Sequence, residues 1–179
     1  TEEPYVSNDG NISKLCVLPK PLQQPHPPIW VMVSSENSAR RAAQKGYNCI
    51  VAGTAIQTIR DWLDIYAEIR SKKEDKEYRP GDCWAIQRPI YVAQTMEKAR
   101  EDYEHFIWVQ REYQALYRGS KAKEYTKYTL GGADEWTWEI LQERAMIAGS
   151  PNDVGAKLQE LQDVGINYLI CWTDVGGLP

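Results

Sequence analysis

The chain has 179 residues, with 21 Lys+Arg against 25 Asp+Glu and a formal net charge of −4. That size suits one domain or part of a larger one, and the charge gives no general electrostatic attraction to nucleic acid or to an anionic membrane. Hydrophobic residues make up 42% and charged residues 26%, which argues against disorder, and no apolar run approaches the roughly 18–20 residues of a membrane span.

The start, Thr1 to Ser13, is polar and turn-rich, and Ile12 to Leu18 has the composition of a short strand. Pro19-Lys-Pro-Leu-Gln-Gln-Pro-His-Pro-Pro28 then forbids helix and central strand and favours an extended connector. Residues 1–28 therefore form a lead-in, and residues 29–179 a single domain. Ile29 to Val33 is a continuous apolar run, as expected of a strand covered on both faces. Ser34 to Ser38 follows, and Ala39 to Lys45 is a helical stretch stopped by Gly46. Tyr47 to Ala52 reads as a second buried strand. Thr54 or Thr58 is placed to cap the next helix, whose apolar face is Ile59, Leu63, Tyr66 and Ile69. Its tail, Lys72 to Glu77, reads as a solvated mixed-charge stretch.

Trp84 to Ala93 is the third predicted strand, with a bulge or late start expected at Pro89. Thr95 caps a long helix from Met96 to about Leu116. Gly119 to Gly132 is a long loop, and Glu135 to Met146 is helical. Ser150 and Pro151 occupy the N-cap and first position of another helix, with Leu158, Leu161 and Val164 as its stripe and Gly165 as its stop. Ile166 to Trp172 is the fourth strand. Alternation of strands and helices predicts a parallel α/β sheet with right-handed crossovers. A complete (β/α)8 barrel needs eight strands and about 250 residues. About four strands make either half of such a barrel or a small open sheet whose exposed edges favour association.

Candidate sites are few. Ser34, Ser35, Asn37 and Ser38 lie between a buried strand and a helix start, where free N–H groups and the helix dipole suit a phosphate monoester; the same residues are the commonest helix caps, and spacing alone favours the cap. His26 and His105 have no second ligand at metal spacing and read as surface or packing residues. Arg88 either reaches a ligand anion or pairs with a carboxylate. Asp174 with Gly176 and Gly177 follows the last strand, either at a ligand rim or in a plain turn. Trp136, Trp138 and Trp172 read as core builders. The four cysteines (Cys16, Cys49, Cys83, Cys171) form no CxxC pair, and no basic-then-apolar start suggests a signal peptide. Reduced thiols in a cytoplasmic protein are the expectation.

One set of segments goes beyond general physics. Pro19 to Val31, Ser34-Ser35 with Ser38-Ala39, and Ala42-Ala-Gln-Lys-Gly46 together resemble the middle of the bacterial-luciferase-like, flavin-dependent monooxygenases. Arg88 to Thr95 is similar to that family's next-to-last barrel strand. Gly149 to Val154, Gly165 to Leu169 and Gly176-Gly177 resemble its final helix and strand. The resemblance implies strands five to eight of a TIM barrel, that is, its C-terminal half. It also implies reduced FMN, supplied by a flavin reductase, or in some branches a deazaflavin, used with O2 to oxidise a small organic substrate. Aligned without gaps, Ser35 and Ser38 fall on the family's phosphate-contacting positions and Ser34 beside them, which turns the reading of this cluster from cap to phosphate site. Gly53 falls at the end of the sixth strand, where luciferase places a tryptophan near the flavin. The family's first half carries its catalytic histidine and arginine positions, so the catalytic residues of this chain are not identified. A partner half-barrel or a homo-oligomer is expected, and the Gly119–Gly132 loop is expected to act as a mobile cover. The alternative is a non-catalytic half-barrel that binds or assembles.

Overall fold

The computed structural model describes residues 5–7, 10–12, 18–118 and 137–173. Strands β1 (Tyr5–Ser7) and β2 (Gly10–Ile12) pair antiparallel as a small ribbon. The strand expected from Ile12 to Leu18 falls mostly on residues outside the described ones. Residues 19–28, rich in proline, are exposed and form neither helix nor strand.

From Trp30 to Arg118 the chain alternates strand and helix. Strand β3 (Trp30–Val33) leads to helix α1 (Glu36–Lys45), β4 (Asn48–Ala52) to α2 (Ile56–Glu74), and β5 (Trp84–Val92) to α3 (Met96–Arg118). Beyond residue 136 come α4 (Trp138–Arg144), the short strand β6 (Ile147–Gly149), α5 (Pro151–Asp163) and β7 (Leu169–Trp172). All strand pairs from β3 onward are parallel: β3 with β4, β4 with β5, and β5 with β7 along Ile86–Pro89 and with β6 along Ile90–Val92. Strands β3-β4-β5-β7, with β6 against the end of β5 and helices outside, form the parallel α/β sheet that the alternation predicts and the half-barrel that the resemblance implies.

The register separates two faces. Val33, Cys49, Val51, Trp84 and Ile86 turn outward and are buried against Ala39, Ala42 and Ala43 of α1, Ile59, Leu63 and Tyr66 of α2, and Leu161 of α5. The Trp84 and Tyr66 rings meet edge to face at 5.5 Å. Burial pushes the Tyr66 hydroxyl well above its usual pKa, so it stays protonated and donates to the Tyr47 carbonyl at 2.8 Å. A second core joins Ala99, Tyr103, Phe106 and Ile107 of α3 to Trp138 and Leu141 of α4 and Ala148 of β6. The alternate residues of the same strands face the concave side. There Trp30 is 37%, Met32 60% and Trp172 44% exposed, so the apolar run of β3 is covered on one face only, contrary to the expectation of two.

Several local readings are corrected. Helix α1 begins at Glu36, three residues earlier than predicted, because Ser35 and Ser38 form a capping box that draws Ser38 into its first turn. Neither Thr54 nor Thr58 caps α2: Ala55 is the N-cap, with no side-chain bond, and the Thr54 hydroxyl turns back to the Ala52 carbonyl. Glu74, read as part of a solvated tail, is ion-paired at 2.8 Å to the buried Arg70, whose guanidinium lies over the rings of Tyr66 and Tyr78. β5 runs unbroken through Pro89, which pairs with Trp172. The Ile86 N–H bonds toward β7, so by alternation the missing N–H of Pro89 would face the other edge, where β4 has already ended opposite Gln87. No ladder bond to β4 is lost, and no bulge is needed. β6 was not predicted. In α5 the buried positions are Val154 and Leu161, while Leu158 is exposed.

Two chain ends of helices behave as read. Gly46 adopts φ 81° behind α1, and Ser150 caps α5 with Pro151 in its first turn.

Candidate functional site

The C-terminal ends of parallel strands, with the N-termini of the following helices, form the rim where α/β proteins gather ligands. Val33 pairs with Val51, so the Ser34-Ser35 turn above β3 sits level with Ala52-Gly53 above β4. The structure thus brings all four predicted binding residues to one corner of the rim.

Within the turn, the hydroxyls have defined partners. Ser35 is the N-cap of α1, and its Oγ accepts the Ser38 N–H at 3.3 Å. Ser38 Oγ accepts the N–H groups of Ser34 and Ser35 at 3.1 and 3.0 Å and donates its proton to the Ser35 carbonyl at 2.7 Å. Ser35 Oγ donates only a long contact of 3.2 Å to Ser38 Oγ. Ser34 and Ser35 are exposed and Ser38 is half-buried. The first two helical amides, of Glu36 and Asn37, have no preceding carbonyl within the helix to bond. Glu36 carries the acid nearest this end, and Arg40 holds it at 2.7 Å, which offsets its charge. What remains on offer at the turn is the Ser34 hydroxyl proton, the Ser35 proton held only by that 3.2 Å contact, two amides and the positive end of the α1 dipole, a set of donors that suits an anion.

Gly53 has φ 63°, a conformation that admits a side chain only with strain. It borders a cavity of about 170 Å³ at the mouth of the half-barrel. Ala52, Gln87, Pro89 and Trp172 line it from the concave face of the sheet. Phe106 of α3 and Leu141, Ala145 and Met146 from α4 and the turn after it complete its lining. Sequence reasoning missed this cavity. Its lining is drawn from positions 52 to 172, with no spacing that links them, and Trp172, read as core, is a wall of it.

Arg88 is level with Gly53 but faces outward, away from the concave side, and is paired with no carboxylate among the described residues. It lies on the outer face of β5, 3% exposed. Its Nη2 donates to the Thr54 carbonyl at 2.6 Å and its Nη1 to the Gln87 carbonyl at 3.1 Å. Burial lowers its pKa to about 10, so it remains charged at neutral pH. It ties β5 to the turn that carries Gly53 and Thr54.

The remaining expectations separate cleanly. His26 is exposed, with Nδ1 2.8 Å from the Pro27 carbonyl, and His105 is exposed and stacks on Trp108 with ring centroids 5.7 Å apart. Trp138 is core. Among the described residues no group of three or more His, Cys, Asp or Glu is placed to hold a metal ion, and no helix is long and apolar enough to cross a membrane. Asp174, Gly176, Gly177, Trp136 and the Gly119–Gly132 loop lie outside the described residues.

Comparison with known proteins places this geometry in context. The family model for luciferase-like monooxygenases matches residues 1–168. No curated protein sequence matches. Among solved structures, the chain is similar to the oxygenating constituent of 3,6-diketocamphane monooxygenase from the CAM plasmid of Pseudomonas putida, a type II Baeyer-Villiger monooxygenase in complex with FMN. The TM-score is 0.61 at 15% identity, covering 97% of this chain and 52% of that one. Monooxygenase RslO1 from Streptomyces bottropensis gives 0.66 at 18% identity, covering 99% and 50%. An F420-dependent secondary alcohol dehydrogenase in complex with an F420-acetone adduct gives 0.62 at 16%, covering 95% and 49%. The chain spans about half the length of each, and at these identities the likeness is one of fold: half of the barrel those proteins share.

Proposed function

Since the chain belongs to the luciferase-like monooxygenase family, we propose that it supplies the phosphate-binding side of a flavin-dependent monooxygenase or oxidoreductase that acts on a small organic molecule. The observation that carries this reading is the Ser34–Ser38 turn: an exposed helix N-terminus at the C-terminal end of a parallel strand, beside an apolar cavity.

The residues present fit the phosphate end of a flavin nucleotide. Ser34 and Ser35 would donate their hydroxyl protons, and the Glu36 and Asn37 amides would add two more bonds along the helix dipole. Ser38, whose proton is already on the Ser35 carbonyl, would hold the turn in shape. Gly53, level with the turn, leaves the space above β4 free of a side chain. The concave face from Met32 and Ile50 to Trp172 would flank the ring system and keep water from it. When bound, a reduced flavin supplies the electrons for O2 chemistry, and a deazaflavin supplies a hydride. FMN in one similar structure and F420 in another support both as cofactor classes.

A second reading is a half-barrel that binds or assembles without redox chemistry. It is favoured by the capping box, which gives Ser35 and Ser38 a purely structural occupation, and by the open concave face. Solution mass together with oxygen consumption, measured on the purified chain with FMN, NADH and a flavin reductase, separates the two. Consumption above the reductase alone supports the enzyme. A discrete dimer with no added consumption supports the binding half-barrel.

A further inference from the structure

Behind β5, on the outer side of the sheet, two positive groups are brought together. Arg88 is 3% exposed. A guanidinium has five N–H donors, and among the described residues Arg88 gives one to the Thr54 carbonyl and one to the Gln87 carbonyl. Its charge therefore has no anion beside it, and burial lowers its pKa only to about 10. Thr54 directly precedes Ala55, the N-cap of α2, so the guanidinium lies beside the positive end of a 19-residue helix. That end is bare. Ala55 offers no side-chain bond, and the first turn holds no acidic residue. The Ile59 N–H bonds the Ala55 carbonyl at 3.1 Å, and the Ile56, Gln57 and Thr58 amides before it have no carbonyl within the helix. A buried cation against a helix N-terminus is a like-charge pair, unfavourable unless an anion joins it.

Both groups border one small cavity. Arg88 and Ile56, the first residue of α2, line it with Gln142 and Glu143 of α4 and Lys157 of α5, and the rest of the lining is aliphatic or thioether. The Gln142 Nε2 is turned to the Ala148 carbonyl at 2.6 Å. The Glu143 side chain is 59% exposed, with its carboxylate 3.5 Å from Arg144 Nε, and Lys157 meets Glu160 at 2.9 Å. The volume, about 10 Å³, is that of one water-sized guest. A water would accept from the remaining donors but leave the charge uncompensated. We propose that this cavity holds a single monatomic anion, chloride in ordinary salt, received by the Arg88 guanidinium and the bare N-terminus of α2. Oxyanions and carboxylates are too large for the space. Because Arg88 also bonds the Thr54 carbonyl, the ion fixes the turn between β4 and α2. The site does not depend on the flavin reading.

The test uses the full chain without flavin. Thermal unfolding is followed in the sodium salts of chloride, bromide, fluoride and gluconate at equal ionic strength. Chloride and bromide are expected to raise the midpoint saturably, by about 3 °C or more over gluconate. Fluoride, which holds its water more tightly, is expected to raise it less. Crystals soaked in sodium bromide are expected to show an anomalous peak within hydrogen-bonding distance of the Arg88 guanidinium. Arg88→Met keeps the length and removes the charge, and is expected to abolish the halide effect. Glu143→Gln tests the carboxylate at the cavity wall as a rival partner of Arg88, and is expected to leave the halide effect in place. Equal midpoints in chloride and gluconate would assign the cavity to water and overturn the proposal. So would a bromide map with no peak at Arg88, or a halide effect that survives in a folded Arg88→Met protein. A halide effect that appears only in Glu143→Gln would overturn it too, by assigning the Glu143 carboxylate to Arg88.

Discussion

Trp30 and Tyr168 belong to opposite edges of the four-strand sheet, at the base of β3 and just before β7, yet their rings meet edge to face with centroids 5.5 Å apart and an interplanar angle of 81°. A flat four-strand sheet would hold its outer strands about 14 Å apart. The contact therefore measures how far the sheet has curled toward a barrel. It also shows that two large side chains span the base of the concave face while the mouth above stays open.

If that contact helps to hold the curl, the two rings are energetically coupled. A double-mutant cycle of Trp30→Ala and Tyr168→Ala, read by urea unfolding, is expected to give a coupling of about 0.5–1 kcal/mol. Strict additivity would show that the rings meet without stabilising each other.

Two loops at the base pack backbone to backbone. A Cβ on Gly81 would stand 2.0 Å from the Gly165 carbonyl oxygen, and one on Gly165 would stand 2.4 Å from the Pro80 carbonyl oxygen, with φ +93° and +95° at the two sites. Gly81→Ala and Gly165→Ala are each expected to cost about 2 kcal/mol or more. Gly155, inside α5 with nothing within 4 Å of a built Cβ, is the control: Gly155→Ala is expected to stabilise by about 0.5–1 kcal/mol. Urea midpoints of the three variants check the order.

The Lys98 ammonium at 2.7 Å and the Tyr91 hydroxyl at 2.8 Å hold the Asp102 carboxyl below its usual pKa. Because the folded value lies below the unfolded one, this stabilisation is complete above the unfolded pKa and disappears as pH falls through the folded one. Asp102→Asn is expected to remove that part of the acid dependence, so that wild type and variant converge in stability at low pH and differ at neutral pH. Midpoints that differ equally at both ends would contradict it.

Ser35 caps α1, and two substitutions separate that role from the phosphate contact proposed for it. Ser35→Ala removes the cap and is expected to cost about 1 kcal/mol, while Ser35→Gly costs only a few tenths. Both remove the hydroxyl donor, so both are expected to weaken FMN binding by a similar factor despite their different stabilities. If affinity followed stability, with the glycine variant close to wild type, the hydroxyl would be a cap and nothing more.

Most of the half-barrel was legible because its signals are local. Gly46 and Gly165 end helices by their backbone freedom, Ser150-Pro151 starts one by capping, and the apolar runs at Trp30 and Cys49 have strand length. What was misread depends on distant partners. The apolar run of β3 reads as covered on both faces, but Trp30 and Met32 face a concavity that only a further layer would fill. β6 is three residues long and is a strand only because the end of β5 extends past its other neighbours. Pro89 looks disruptive until the ladder shows that its missing donor faces a strand already ended. At the site, the serine turn could be found from one stretch of chain; the cavity, assembled by strand ends and by helices far along the sequence, could not.

The phosphate of a flavin nucleotide is proposed to sit on the Ser34–Ser38 turn. The most direct measurement compares FMN with riboflavin, which has the same ring and no phosphate, by fluorescence titration of the purified chain. FMN is expected to bind at least tenfold more tightly, with the difference shrinking as salt is raised. Equal affinity for the two, or no binding of FMN at all, would contradict the account.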